Sequence, residues 1–223
     1  MADRPSDPQT LLRRSLDSGR LHNAYLLSGP GSAPREAALA FARGVVCSGN
    51  APKPCEDCAE CRRSSAREEP VLDGKGKTGP LLRHIGDHPN LLWVERGATD
   101  TRVRIEQIRR LQHDLHLRGE GNGRHVGVIA DAEWLNDNSQ NALLHLLEEP
   151  PPRTTLVLVT TTSAGLLATT RSRCQRVVFP ASVADPLAEP ENADLASRLE
   201  RLPGASPAQL LGWAEEYRGA RAP

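Results

Sequence analysis

Short apolar runs alternate with amphipathic segments along the first 180 residues of the chain. The runs are rich in Val, Ile and Leu at consecutive positions. Strands of this kind belong to a parallel sheet that is covered on both sides. We therefore predict strands at residues 24–28, 91–95, 125–130, 155–160 and 176–179.

The segments between these runs predict helices. Apolar residues between positions 105 and 115 recur at spacings of three and four, which is the helical period. A later helix is predicted after the cap candidates Asn136 and Asp137, and the proline run 150–152 ends it. Alternating strands and helices predict an α/β fold, with a parallel sheet and helices on both of its faces.

The polarity of the chain also divides it into regions. Residues 62–88 lack apolar periodicity and are interpreted as a surface excursion. After Pro180, a polar, proline-containing stretch leads into two short predicted helices at about 193–201 and 206–218. The sequence therefore predicts a main domain of residues 1–180 and a small helical domain of residues 181–223.

Composition excludes several classes of protein. Lys plus Arg equals Asp plus Glu at 28 each, so net charge gives no support to a general nucleic-acid or membrane-surface binder. No apolar run approaches the 18 residues of a membrane span, and the first residues do not form a secretory signal. We expect a soluble, cytoplasmic protein that does not bind membranes.

Four of the five cysteines form a cluster, Cys47, Cys55, Cys58 and Cys61, with the spacing C-x7-C-x2-C-x2-C. Overlapping C-x2-C steps allow three thiolates to converge, and the remaining cysteine supplies a fourth ligand. This pattern favours a tetrahedral zinc site, which four sulfur ligands would close and make structural. Unliganded cysteines and a redox C-x2-C pair are the alternatives.

A glycine-containing turn, "SGPGSAPRE", follows the first predicted strand. Phosphate-binding loops at this place read G-x-x-x-x-G-K-[ST]. With Gly29 as the first glycine, Pro34 stands at the second glycine, Arg35 at the lysine and Glu36 at the hydroxyl residue. Pro34 has no amide hydrogen, and the carboxylate of Glu36 would repel phosphates. We therefore expect no productive ATP binding.

Two interpretations of this turn remain open. A carboxylate in the first turn complements a helix N-terminus much as phosphate does, so Glu36 is a candidate for the place of the anion. Alternatively, the stretch is only a turn between a strand and a helix. The stretch by itself does not separate a disrupted nucleotide site from an ordinary turn.

Several motifs occur together along residues 8–180. They are "RLHNAYLLSGP", the four-cysteine cluster, "HPN", "RIEQIRRLQ", "VIADAEWLNDNSQNALLHLLEEPP" and "TRSRCQRV". In this order they resemble the clamp-loader branch of the AAA+ proteins. The resemblance implies a RecA-like AAA+ domain with a zinc module at about 47–61, followed by the small helical domain as a lid.

The same resemblance implies partners. They are the gamma or tau and delta subunits of the loader and, through the assembly, the sliding clamp and primed DNA. Relatives in this family continue into a helical collar domain, whereas the present sequence stops near the end of the lid, so that either it is a fragment or its assembly differs. We accordingly expect that this chain by itself does not join a stable pentamer.

The family contains subunits that hydrolyse ATP and subunits that keep the fold with a disrupted loop. A hydrolytic member would end its third strand in Asp-Glu, for magnesium and for water activation. This sequence has Ala130 and Asp131 there, with Ala130 at the magnesium position. Thr160 or Thr161 matches the sensor position, although a plain strand-end role is preferred. The resemblance therefore implies a non-hydrolytic subunit.

One catalytic element of the family matches this sequence. Ser172, Arg173 and Cys174 match the Ser-Arg-Cys motif, whose arginine reaches the γ-phosphate of ATP on a neighbouring subunit. The fixed charge and planar fork of arginine suit this role. The alternative is a surface arginine before the last strand. Cys174, which is distant from the cysteine cluster, is expected to be packed and unreactive.

Two other functions are kept as alternatives. The first is an ATP-hydrolysing subunit of the gamma or tau type. The second is a zinc-containing nucleic-acid-binding module, although an ordinary solvated helix face explains most of its arginines better. The arginines that suggest it are Arg102, Arg104, Arg109, Arg110, Arg118 and Arg124.

Overall fold

A six-stranded sheet forms the centre of the computed structural model, which describes residues 7–50, 52–65, 81–97, 100–118 and 123–180. In chain order the strands are β1 (Ala24–Ser28), β2 (Arg83–His84), β3 (Leu91–Val94), β4 (His125–Ile129), β5 (Thr154–Thr160) and β6 (Gln175–Val178). Across the sheet they lie in the order β2-β3-β4-β5-β1-β6. Only the edge strand β2 pairs antiparallel, and the other five strands are parallel.

Helices cover both faces of the sheet. In chain order they are α1 (Pro8–Ser18), α2 (Ala33–Val46), α3 (Ala59–Arg63), α4 (Ile105–Arg118), α5 (Asp137–Glu148) and α6 (Ala168–Ser172). Alternate residues of β1 show the division, because Leu27 packs in the cluster that contains α1 and α2 whereas Leu26 packs in the cluster that contains α4 and α5. The predicted α/β class, with a mostly parallel sheet and helices on both faces, is confirmed.

The helix boundaries follow from local capping chemistry. Asn136 caps α5, and its side chain accepts a hydrogen bond from the Ser139 amide at 2.8 Å. The helix ends at Glu148, because Pro150 and its neighbours cannot continue it. The predicted start and end of this helix are both confirmed.

The interpretation of residues 62–88 as a surface excursion is wrong for part of that range. Arg83 and His84 form β2, and Ile85 is fully buried beside it. The strand was missed because its two residues are polar and too few to show periodicity. Residues 66–80 lie outside the described residues, as do the linker and the two helices predicted after Pro180.

The parallel strands bring several loops to one edge of the sheet. The carboxyl ends of β1, β3, β4 and β5 lead into the glycine turn, Glu95, Ala130 and Thr161 respectively. This edge is where parallel α/β sheets hold ligands. Among the described residues, no helix combines the length and the apolar character that crossing a membrane requires.

Candidate functional site

The first glycine of the turn is required by packing. The amide of Gly29 donates to the carbonyl of Thr160 at 3.1 Å. A Cβ atom at Gly29 would lie 2.5 Å from the backbone oxygen of Phe179, directly after β6. Gly31 has a φ of +72°, which glycine adopts without strain. These contacts account for both glycines without a phosphate ligand.

The start of α2 offers few donors to an anion. Pro34 is buried in the first turn and has no amide hydrogen. The amides of Arg35 and Glu36 both donate to the carbonyl of Ser32, at 2.9 and 3.0 Å. The two amides that would flank a phosphate are therefore engaged within the turn.

The side chain of Arg35 stands at the lysine position of the loop motif and is held by carboxylates. Its guanidinium forms an ion pair with Glu95, and its Nη1 lies 3.9 Å from Oδ1 of Asp131. The same guanidinium lies over the ring of Trp93, 5.1 Å from the ring centroid. The charge that would pair with phosphate is thus directed to the ends of β3 and β4.

Glu95 is the centre of this arrangement, which we call the Arg35 cluster: Arg35, Arg83, Trp93, Glu95 and Asp131. The Glu95 side chain is only 14% exposed. It accepts a hydrogen bond from Trp93 Nε1 at 2.8 Å and pairs with Arg83 Nε at 3.3 Å. Burial opposes the charge, but these donors outweigh it and hold the Glu95 pKa below its usual value. Glu95 therefore remains an anion.

The acidic position after β4 serves the same cluster. Oδ2 of Asp131 accepts a hydrogen bond from the Arg96 amide at 2.7 Å, while burial raises the Asp131 pKa. The preceding residue, Ala130, is 5% exposed, and its amide donates to Val94. The side chain at this position is consequently a methyl group, which offers no oxygen to a metal ion.

The two threonines at the end of β5 make hydrogen bonds within the chain, Thr160 in its own loop and Thr161 to the segment that follows β4. Thr160 donates its hydroxyl to the carbonyl of Thr162 at 2.6 Å. The amide and hydroxyl of Thr161 both donate to Oε1 of Glu133, at 3.2 and 3.0 Å. These contacts agree with the preferred interpretation of both residues as strand-end polar groups.

Glu36 is exposed and lines a groove between α1 and α2. The groove has a volume of about 410 Å³, and Leu12, Leu16 and Phe41 are among its lining residues. The carboxylates that contact Arg35 come instead from Glu95 and Asp131, which sequence analysis did not connect with the loop. Their separation from Arg35 along the chain left no local signal.

The Ser-Arg-Cys motif lies where α6 meets β6. Arg173 follows α6, donates from Nη1 to the Thr169 carbonyl at 3.0 Å, and pairs through Nη2 with Oε1 of Glu148 at 2.5 Å. Its side chain is 36% exposed. Ser172 is exposed, whereas Cys174 is buried and its pKa is raised to about 12 by burial. Cys174 is packed, as predicted, and the contact with Glu148 was not anticipated.

The four clustered cysteines converge in space. Their Sγ atoms all lie within 4.8 Å of one another. The Sγ atoms of Cys47 and Cys58 are 3.9 Å apart, and those of Cys55 and Cys61 are 4.0 Å apart. A tetrahedral ion with zinc–sulfur bonds of about 2.3 Å requires sulfur atoms about 3.8 Å apart. The four side chains are therefore positioned to bind one metal ion.

Backbone donors support thiolates at this cluster. The amide of Cys58 donates to Sγ of Cys55 at 3.4 Å, and the amide of Cys61 donates to Sγ of Cys58 at 3.3 Å. Burial opposes the Cys58 thiolate, but the donors at Cys61 and Ser48 lower its pKa to about 5. Burial instead raises the pKa of Cys61 to about 12. A cation bound to its sulfur would offset that cost.

The sequence is similar to subunits of bacterial DNA polymerase III. A family model described as "DNA polymerase III, delta subunit" matches residues 6–182. Proteins named DNA polymerase III subunit delta' from Bacillus subtilis and Yersinia pestis are 30% and 34% identical, over 85% and 70% of this chain. The chain belongs to the delta-prime family.

The alignments with delta-prime relatives cover only part of those proteins. They include 53% of the Bacillus subtilis protein and 41% of the Yersinia pestis protein, so the chain spans about half the length of the curated relatives it matches. A solved gamma subunit-related protein from Thermotoga maritima is similar over 78% of this chain and 46% of its own, with 22% identity and a TM-score of 0.49.

In this delta-prime family member, the "HPN" motif (residues 88–90) contacts the cysteine-containing segment and joins it to the edge of the sheet. Nδ1 of His88 accepts a hydrogen bond from the Asn90 amide at 3.1 Å, so Nε2 carries the proton and faces Oε2 of Glu60 at 2.9 Å. Burial lowers the His88 pKa, which favours the neutral ring. The amide of Asp87 also donates to the Arg63 carbonyl at 2.9 Å. The motif therefore has a structural use that its sequence did not indicate.

The arginines considered for nucleic-acid binding are not a uniform basic surface. Arg104 pairs with Asp100 at 3.3 Å, and Arg110 pairs with Asp114 at 2.9 Å. Carboxylates thus neutralise part of this charge. These pairs weaken the alternative of a nucleic-acid-binding module.

Proposed function

We propose that this chain is a non-hydrolytic, delta-prime-type subunit of a DNA polymerase III clamp loader. It supports the loading of a sliding clamp onto primed DNA, together with gamma or tau and delta subunits. Membership of the delta-prime family supports this assignment. The Arg35 cluster supports the absence of intrinsic ATP hydrolysis.

The single observation that carries the non-hydrolytic assignment is the pairing of Arg35 with Glu95 and Asp131. A triphosphate at the loop would approach two carboxylates, those of Glu95 and Asp131, that already share this arginine as a partner. Drawing Arg35 towards phosphate would leave like charges together in a partly buried site, which is unfavourable. Ala130 offers no oxygen for magnesium.

Arg173 is proposed to act on the nucleotide of a neighbouring subunit. Its guanidinium is partly exposed at the end of α6 and is fixed by contacts within its own subunit. A permanently charged, planar group can stabilise the charge that develops on a transferred phosphoryl group. The chain would then contribute to hydrolysis without binding nucleotide itself.

The four thiolates of the cluster are proposed to hold a structural zinc ion. Cys47, Cys55, Cys58 and Cys61 would fill all four positions, so no ligand position remains for water or substrate. The metal would supply cross-linking between the end of α2 and α3. His88 and Glu60 then join this segment to the sheet edge.

Nucleotide binding by the purified chain tests the non-hydrolytic assignment. Equilibrium dialysis with labelled ATP and magnesium is expected to give no saturable binding at millimolar nucleotide. Tight, magnesium-dependent binding would contradict the assignment and favour a gamma- or tau-type ATPase. A salt-dependent affinity of the isolated chain for DNA would favour the nucleic-acid-binding alternative.

Reconstitution tests the role in trans. Because a stable pentamer is not expected, the chain is added in excess to gamma and delta subunits with clamp and primed DNA, so that transient assembly suffices, and ATP hydrolysis is measured. The wild-type chain should stimulate hydrolysis, and Arg173→Ala should remove most of that stimulation. Arg176→Ala changes another arginine, exposed on β6, and serves as the control. Absent stimulation by the wild-type chain, or equal stimulation by Arg173→Ala, would contradict the proposal.

A further inference from the structure

We propose that Glu148 is a positioning residue for the guanidinium of Arg173, an inference that rests on the proposed action of Arg173 in trans. Oε1 of Glu148 lies 2.5 Å from Nη2 of Arg173. Nη1 of the same guanidinium donates to the Thr169 carbonyl at 3.0 Å. These two contacts hold the two terminal nitrogens of one planar group.

The chain places this carboxylate by stopping a helix. Glu148 is the last residue of α5, and Pro150 begins the run that prevents the helix from continuing. The end of a helix carries partial negative charge, which favours a nearby cation. Arg173 follows the last residue of α6, so the junction of two helix ends fixes both members of the pair.

The contact leaves the arginine able to act. A guanidinium has five N–H donors, of which the contacts with Glu148 and Thr169 use two. The side chain is partly exposed, at 36%. A phosphate can therefore bind a second edge of the group while Glu148 remains attached. Fixing the plane of the guanidinium before the encounter reduces the conformational freedom that is lost in the transition state.

Competition between Glu148 and phosphate for Arg173 would have the opposite effect on ATP hydrolysis from positioning of Arg173 by Glu148. If Glu148 mainly competed with phosphate for Arg173, its removal would accelerate hydrolysis on the neighbouring subunit. The pair is exposed enough to be screened by solvent, with 47% of the Glu148 side chain accessible. The repulsion between Glu148 and a phosphate bound to the other edge of the guanidinium is therefore weak. The direct contact of Glu148 with Nη2 still restricts the orientation of the guanidinium. We expect its removal to slow hydrolysis.

The test uses the reconstituted loader and steady-state ATP hydrolysis. Glu148→Ala should lower kcat about two- to fivefold, the range expected for losing an exposed ion pair. KM for ATP should stay unchanged, because Glu148 does not touch nucleotide. Glu148→Gln, which keeps a hydrogen-bond acceptor, should fall between the wild type and Glu148→Ala. Glu149→Ala removes an exposed carboxylate one residue away and should match the wild type.

A double variant separates positioning from general structural damage. In the Arg173→Ala background, Glu148→Ala should cause no further loss of kcat, since the group that it positions is absent. Unchanged or raised kcat in Glu148→Ala, a change in KM alone, or an equal loss in both backgrounds would overturn the inference. If Arg173→Ala itself leaves hydrolysis unchanged, the proposed action of Arg173 in trans fails instead.

Discussion

The Arg35 cluster makes a quantitative prediction about which of its charges supports the fold. Glu95 contacts Arg35, Arg83 and Trp93, whereas Arg35 lies at the periphery with 40% of its side chain exposed. Replacing Glu95 with Gln should therefore cost more stability than replacing Arg35 with Ala. If Arg35 served mainly to bind phosphate, there would be no reason to expect the Glu95 substitution to be the more destabilising of the two.

The magnitudes follow from the burial of each partner. Glu95→Gln leaves Arg83, whose side chain is only 4% exposed, facing a neutral amide. Breaking a buried ion pair costs about 3–5 kcal/mol, and partial exposure of Glu95 argues for about 3 kcal/mol. Arg35→Ala removes an exposed ion pair and a cation–π contact, together worth about 1 kcal/mol. In a chain of this size these costs correspond to Tm reductions of about 6–12 °C and about 2–4 °C.

Differential scanning calorimetry on matched preparations would measure both changes. The double variant should lose less stability than the sum of the single variants, because they share one interaction. Glu36→Gln is the control: it neutralises an exposed carboxylate in the first turn of α2 and should shift Tm by less than about 2 °C. A larger Tm reduction from Arg35→Ala than from Glu95→Gln would refute the reasoning.

Further predictions concern pH, metal and nucleotide. Because the Glu95 pKa is lowered on folding, its contribution is complete above the unfolded value of about 4.3 and is lost as pH falls through the native value. The Tm difference between the wild type and Glu95→Gln should therefore narrow between pH 5 and pH 3; a constant difference would contradict this. The pKa of Asp131 is raised on folding, so its effect on stability is opposite: the ionised carboxylate lowers the stability of the fold at pH values above the native pKa. Asp131→Asn should raise Tm at pH 7, with a gain that disappears in acid. Purified chain should contain one zinc ion by elemental analysis, which Cys58→Ser should lose and Cys174→Ser should retain; equal zinc in both variants would exclude the four-cysteine site. Arg35→Lys should not restore ATP binding in equilibrium dialysis, because Pro34 still removes a loop donor.

The sequence predicts the central strands well because they are buried on both faces. For example, the predicted strand at residues 24–28 matches β1, and β5 begins one residue before its predicted start. The edge strand β2 was missed because Arg83 is buried by an ion pair and by its position over Trp93. Hydropathy does not register that kind of burial.

The candidate sites differ in the same way. The cysteine cluster is predictable because zinc ligands recur at short spacings and share one chemistry. The pairing of Arg35 with Glu95 depends on which strands lie side by side. The contact of Glu148 with Arg173 depends on how the ends of two helices meet. Such contacts join residues far apart in sequence, and neither residue type nor local spacing specifies its partner. The identity of the loop residues could be read, but their partners could not.

The ion pairs of Arg35 also affect how easily a nucleotide-binding site could arise at this turn. Restoring an aspartate at Ala130 alone would place a third carboxylate beside Glu95 and Asp131, which already share Arg35. Removing Glu95 first would leave the buried guanidinium of Arg83 without the carboxylate with which it forms an ion pair. Either of these two changes, made alone, is therefore expected to lower stability without creating a nucleotide site. Under the proposed non-hydrolytic role, creating a nucleotide site at this turn would therefore require several changes at once.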